Sequence, residues 1–224
     1  MAQVILPIIA CALLVGLLWA EKTGGYALIL LFKAPLSSLF VLTATLRPHF
    51  FKRYYHVVVA GLILGLVGDI CLALPGNIPF RAGLAAFLVG HILYIFGFTQ
   101  LTRRTDWVHP VNFLILAVSG YIFWRLFPHL GAMLIPVAFY IVVISVMVSG
   151  AWAVFHNPNT NRVGAWLILF GALLFYASDI FVARNRFIES EFLNRLVGLP
   201  FYYIGQFLLA FSVGFVKPGH DNRI

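Results

Sequence analysis

The chain alternates long apolar runs with short polar links. Eight runs, at about residues 4–20, 26–46, 57–75, 82–101, 111–127, 132–155, 163–183 and 196–216, are each long enough to cross a ~30 Å hydrocarbon core as a helix. The links between them leave no room for a separate soluble unit. The pattern predicts an all-α, polytopic integral membrane protein with eight transmembrane helices, residues 1–224 forming a single transmembrane domain. Composition agrees: 10% of residues are charged, where a soluble domain carries about 25%. Ile8 to Cys11 only loosely resembles a lipoprotein cleavage box, and no Lys or Arg precedes it, so the first run is read as a span. Cys11 and Cys71 both fall inside runs and read as small apolar residues.

The net charge of +8 does not point to nucleic acid, because the cations are spread over span-flanking links. The densest cluster, Arg47 to His56, interleaves aromatics with basic residues as an anchor at acidic headgroups does. Eight cations (Arg47, Lys52, Arg53, Arg103, Arg104, Arg162, Lys217, Arg223) fall on the N-terminal side of the membrane. Six (Lys22, Arg81, Arg125, Arg184, Arg186, Arg195) fall on the other. The bias favours both termini in the cytoplasm.

Ionisable groups inside spans cost ~2.5–3.5 kcal/mol each and mark function by default. Lys33, Asp69, His91 and Asp179 are such groups, and Gln206 is a strongly polar neutral one. Counted along helices at ~1.5 Å per residue, all five lie in the half of the bilayer away from the termini. That predicts one shared polar pocket opening on that side. A possible internal repeat groups the same residues. GDICLAL (68–74) resembles SDIFVAR (178–184), and GHILYIFGF (90–98) resembles GQFLLAFSV (205–213), as in a parallel 4+4 duplication with its site between the halves. Gly61 and Gly65, and Gly83, Gly90 and Gly97, predict close helix approach. Tyr94, Tyr176 and Tyr203 each stand three residues from His91, Asp179 and Gln206, on the same helical face, where each either donates to that neighbour or fills space.

Two carboxyl groups and a lysine in a low-dielectric pocket suit acid–base chemistry, because a close carboxyl pair loses its protons in separated steps. A buried ion pair between helices is the plain structural reading of the same residues. Ser37, Ser38, Ser145 and Ser149 show no His and Asp at matching depth, so serine-nucleophile chemistry is not expected. HExxH and HxxxH are absent; Asp69, His91 and Asp179 could supply three metal ligands, but no metal is expected.

The blocks GLVGDICLALPG, FRAGLAAFLVGHILYIFGF, GALLFYASDIFVA and PFYYIGQFLLA, with LFKAPL (31–36) in span two, resemble the YhhN/TMEM86 family over residues 26–216. Ala34 departs from that family's Lys-Pro stretch by standing before Pro35. The resemblance implies a lysoplasmalogenase. Such an enzyme hydrolyses the vinyl ether bond of a lysophospholipid to a fatty aldehyde and a glycerophospho-ethanolamine or -choline, without a cofactor. It also implies catalysis by Asp69 and Asp179. Lys33, His91, Tyr94, Tyr202, Tyr203, Gln206 and Arg81 become substrate-binding or supporting residues. Partners would be the lysophospholipid and membrane lipids. The sequence does not separate acid from base; Asp69 as acid and Asp179 as base is the working assignment. A proton-coupled transporter or a lipid-binding membrane protein is the alternative use of the same polar cluster.

Overall fold

A computed structural model describes residues 2–217. The tail cation Arg223 lies outside the described residues. Among the described residues every regular element is helical. Eight long helices follow in order: α1 (Ala2–Thr23), α2 (Tyr26–Thr45), α3 (Lys52–Ala73), α4 (Asn77–Thr99), α5 (Val111–Leu126), α6 (Leu134–His156), α7 (Arg162–Ala183) and α8 (Phe192–Ser212). Each predicted run coincides with one of them. Seven, α1 to α7, are long and apolar enough to cross a membrane, which makes the chain an integral multi-pass membrane protein. The eighth, α8, is equally long but carries Asn194, Arg195, Tyr202, Tyr203 and Gln206, so apolarity alone does not place it among the spans.

Local chemistry sets the boundaries. Gly24 and Gly25 adopt φ of 83° and 114°, and Gly76 adopts 107°, left-handed backbone that a side chain would strain, and these turn α1 into α2 and α3 into α4. The Asn161 side chain accepts hydrogen bonds from the Val163 and Gly164 amides and starts α7. The helix α3 begins at Lys52, five residues before its apolar run, because the basic turn Lys52–His56 is helical too. Similarly, α8 begins at Phe192 and ends at Ser212, four residues earlier than expected at either end. Hydropathy marks where a helix enters lipid, whereas hydrogen bonding carries it on into the interface.

The most extensive packing joins α3 to α4 and α7 to α8. The helix α8 also touches α1, α2 and α3, and α4 packs on α6. By contrast, α5 rests mainly on α6 and the short elements beside it. Leu36, Phe40, Leu62, Phe98, Met147, Ile168 and Leu209 are wholly or nearly wholly buried between helices. Many large apolar side chains, Ile78, Phe113 and Ile135 among them, point outward, as lipid-facing surfaces require.

The glycines divide into two kinds. A Cβ on Gly90 would stand 3.3 Å from the Gly61 carbonyl, and one on Gly83 would stand 3.1 Å from that of Gly68. These are true backbone approaches between α3 and α4. The same holds between α7 and α8, where a Cβ on Gly205 would meet the Gly171 carbonyl at 2.9 Å. Gly61 and Gly65 additionally make room for side chains. A Cβ on Gly61 would strike the Tyr94 ring at 2.5 Å, and one on Gly65 would lie 2.7 Å from Gln206 Nε2.

Candidate active site

A partly open cavity lies where α3, α5 and α7 end and α4, α6 and α8 begin. Asp69 and Asp179 both line it, with Lys33, Tyr140, Tyr176 and Tyr202 as further polar wall and Leu72, Leu84 and Ile144 among the apolar wall.

Asp69, near the end of α3, is a collecting point for donors. Lys33 Nζ stands 3.3 Å from its Oδ1, with both side chains almost fully buried. Ser37 Oγ and the Tyr202 hydroxyl each donate to Oδ2 at 2.6 Å. Behind them run two relays. Tyr203 donates to Ser37 across 3.2 Å, since the serine proton is already committed to Asp69. Tyr94 donates to Gln206 Oε1 at 2.8 Å, and Gln206 Nε2 reaches the Tyr202 oxygen at 3.3 Å. Helices α2, α3, α4 and α8 thus converge on one carboxylate. Such a network is satisfied at every member and holds its shape.

Asp179, near the end of α7, is served more sparingly. Tyr140 donates to its Oδ2 at 2.7 Å. His91 Nε2 lies 2.9 Å from the Tyr140 oxygen and 3.5 Å from Asp179 Oδ2. The phenol has one proton and gives it to Asp179, so His91 is the donor to Tyr140. The Asp179 side chain is 19% exposed, against 2% for Asp69.

The expected residues therefore come together in two clusters, with some differences. His91, Tyr94, Tyr203 and Gln206 back the wall without lining the cavity. Arg81 is exposed on the first turns of α4, outside the lining, whereas Arg195 is part of the lining and pairs with Glu21 at 3.5 Å. None of the three tyrosines bonds its neighbour three residues away. Tyr94 reaches Gln206, Tyr176 bonds Ser119 and Tyr203 bonds Ser37. Ser37 does have an aspartate at its depth, contrary to expectation, but it donates to Asp69. Among the described residues no three His, Cys, Asp or Glu side chains are grouped to hold a metal ion. Ser37, Tyr140, Asn194 and Arg195 were not anticipated here. Only Ser37 gave a signal, lying one helical turn from Lys33 on the same face.

A multi-pass helical membrane protein with two carboxyl groups on one intramembrane cavity is the class that fold and site define. The chain belongs to the YhhN family, whose model matches residues 28–213. It is 32% identical over 213 residues to the lysoplasmalogenase of Mycobacterium tuberculosis, covering 91% of this chain and 77% of the relative. It is 32% identical over 177 residues to lysoplasmalogenase TMEM86A of Bos taurus, covering 75% and 69%. An uncharacterized membrane protein YhhN of Escherichia coli is 27% identical over 182 residues, covering 80% and 84%. No solved structure matches.

Proposed function

We propose that the protein is a lysoplasmalogenase, a membrane-embedded hydrolase of the vinyl ether bond of lysoplasmalogens. The observation that carries the reading is the cavity itself: two carboxyl groups on one apolar cavity, in a chain akin to enzymes of that name. Its aliphatic and aromatic walls have the chemistry to receive a single lysolipid chain.

The hydrogen bonds favour the reverse of the working assignment. Every contact on Asp69 is a donor, and one is a lysine, so Asp69 serves as the anion. Asp179 accepts from Tyr140 on Oδ2 and is the more exposed of the two, so it is the carboxyl group assigned to proton transfer. In the proposed reaction Asp179 gives its proton to the distal alkene carbon, and an oxocarbenium ion forms across the proximal carbon and the ether oxygen. The Asp69 carboxylate stabilises that cation, as carboxylates do in glycoside hydrolysis. Water adds to the proximal carbon and returns a proton to Asp179. The hemiacetal then breaks its bond to the glycerol oxygen, which takes the hydroxyl proton, and an aldehyde leaves. No cofactor enters this sequence.

The finer architecture follows the same reading: one transmembrane domain in which α8 is the eighth span, built as a parallel 4+4 repeat. Gly61, Gly68 and Asp69 correspond to Gly171, Ser178 and Asp179 at one fixed offset, and Gly83 and Gly90 correspond to Gly198 and Gly205 at another. Gly61 meets Gly90 as Gly171 meets Gly205, which supports the equivalence. The basic links favour cytoplasmic termini and a cavity opening on the opposite side.

The test is aldehyde release from lysoplasmenylethanolamine by purified protein, beside Asp69→Asn and Asp179→Asn, with folding checked by thermal shift in detergent. Loss of about 10²–10⁴-fold in each folded variant is expected. A folded parent that releases no aldehyde refutes the hydrolase reading.

A further inference from the structure

Five buried side-chain polar atoms have no hydrogen-bond partner among the described residues: Thr43 Oγ1, His91 Nδ1, Gln100 Oε1, Asn112 Oδ1 and Asn194 Oδ1. Of those five residues, Asn194 is the one that lines the cavity. It stands in the first turn of α8 and is 2% exposed. Its Nδ2 donates to the Glu189 carbonyl at 2.9 Å, which fixes the amide orientation and leaves Oδ1 as the open acceptor. A buried acceptor left without a donor costs about 1–3 kcal/mol. A buried polar group without a partner calls for an explanation, and in a cavity wall a donor carried by the ligand supplies one.

We propose that Asn194 recognises the free glycerol hydroxyl of the substrate and so confers selectivity for single-chain lipids. This rests on the lysoplasmalogenase reading and deepens it. The spacing fits. Gly198 packs beside the Ser178 carbonyl, one residue before Asp179. Asn194 lies one helical turn from Gly198 toward the start of α8, a rise of about 6 Å. In a vinyl ether lysolipid five bonds separate the distal alkene carbon from the central glycerol hydroxyl, roughly 5–6 Å. With that carbon at Asp179, the hydroxyl reaches the level of Asn194. The phosphate, further along the glycerol, then reaches Arg195, the next residue of α8 and part of the same lining. A lipid acylated at the central position has no hydroxyl to donate there and brings an added chain against the wall. A site built to bond a hydroxyl rejects the analogue lacking it far more strongly than a merely apolar site does.

The experiment uses saturated probes, so that binding is read apart from catalysis. The full-length protein in detergent is titrated, by thermal shift, with a 1-O-alkyl glycerophosphoethanolamine and with its 2-deoxy analogue. Wild-type protein is expected to bind the hydroxyl-bearing probe about 10–100-fold tighter. Asn194→Leu, of similar size, is expected to bring the two affinities within about 2-fold by weakening the first. Equal affinities in the wild-type protein overturn the proposal whether or not the variant folds, and show that water satisfies Asn194. Discrimination that persists in a folded Asn194→Leu protein overturns it too. Discrimination by a wild-type protein that releases no aldehyde from the vinyl ether substrate leaves Asn194 as a hydroxyl reader and removes the hydrolase reading alone.

Discussion

Asp69 and Asp179 stand at matching points of α3 and α7, yet their surroundings differ in kind. Asp69 is sealed, paired with Lys33 and fed by donors from α2 and α8. Asp179 is a fifth exposed and rests on one tyrosine backed by one histidine. The partners also cross between the halves of the chain. The α3 aspartate takes a donor from α8, and the α7 aspartate is approached by His91 of α4. Two helix pairs with similar glycine contacts, Gly61 with Gly90 and Gly171 with Gly205, thus hold two unlike carboxyl groups, because the difference lies in which side chains the facing helices supply. Acid–base work needs that unlikeness: two equivalent carboxyl groups would compete for one role, whereas two unequal environments assign one group to charge and the other to the proton.

The sharpest way to break the comparison is at the ion pair. Lys33→Met leaves Asp69 buried without its cation. Breaking a buried pair from one side costs about 3–5 kcal/mol, so a large loss of thermal stability is expected, with aldehyde release lost as well. Adding Asp69→Asn to Lys33→Met removes the stranded charge and is expected to recover most of the stability but none of the activity. A double variant as unstable as the single one would mean that Lys33 acts by packing and not by charge.

On the other side, Tyr140→Phe removes the one donor to Asp179 and disconnects His91. Activity is expected to fall about 10²-fold, on the scale of losing a positioned acid–base partner, with a stability loss of about 1–3 kcal/mol as the buried His91 N–H loses its acceptor. His91→Phe, one step further back, is expected to cost less. If His91→Phe proves the more damaging of the two, the order of the relay is wrong. Gly65→Ala tests the room that the Asp69 network needs, since the added methyl would press on Gln206 and Tyr202. Overpacking of this sort costs about 1–3 kcal/mol, measurable as a lower melting temperature that Gln206→Ala partly restores.

Much of this contrast was legible in the chain, and the reason for the rest is specific. Asp69, Asp179 and Lys33 stand out because a charge in an apolar run is costly and is kept only where it is paired or used. Tyr140 gave no signal: a tyrosine in an apolar run is usual, and nothing local shows where its hydroxyl points. Asn194 and Arg195 precede the apolar run and so read as link residues, although α8 already includes them. The three tyrosines bond facing helices and not the neighbours that share their own face, for a related reason. Spacing of three puts two side chains on one face, but a phenol is long enough to pass its neighbour and bond the facing helix, as Tyr94 does with Gln206. The sequence carries helix faces well and the pairing of faces poorly.

The smallest expected effect tests redundancy. Ser37→Ala removes one of the three donors to Asp69, leaving Lys33 and Tyr202 in place. A net loss of about 1 kcal/mol is expected, with activity reduced no more than about fivefold. The lost hydroxyl also frees the Tyr203 proton, whose acceptor was Ser37. Ser37→Ala with Tyr203→Phe should therefore be no less stable than Ser37→Ala alone, because the double change removes donor and acceptor together. Set beside Tyr140→Phe, this variant measures the asymmetry directly. A carboxylate with three donors tolerates losing one, and a carboxyl group with one does not. Equal losses of activity in the two variants would mean that the Asp69 donors act as a single unit, each needed for the others' alignment, and that the apparent redundancy of its surroundings is only geometric.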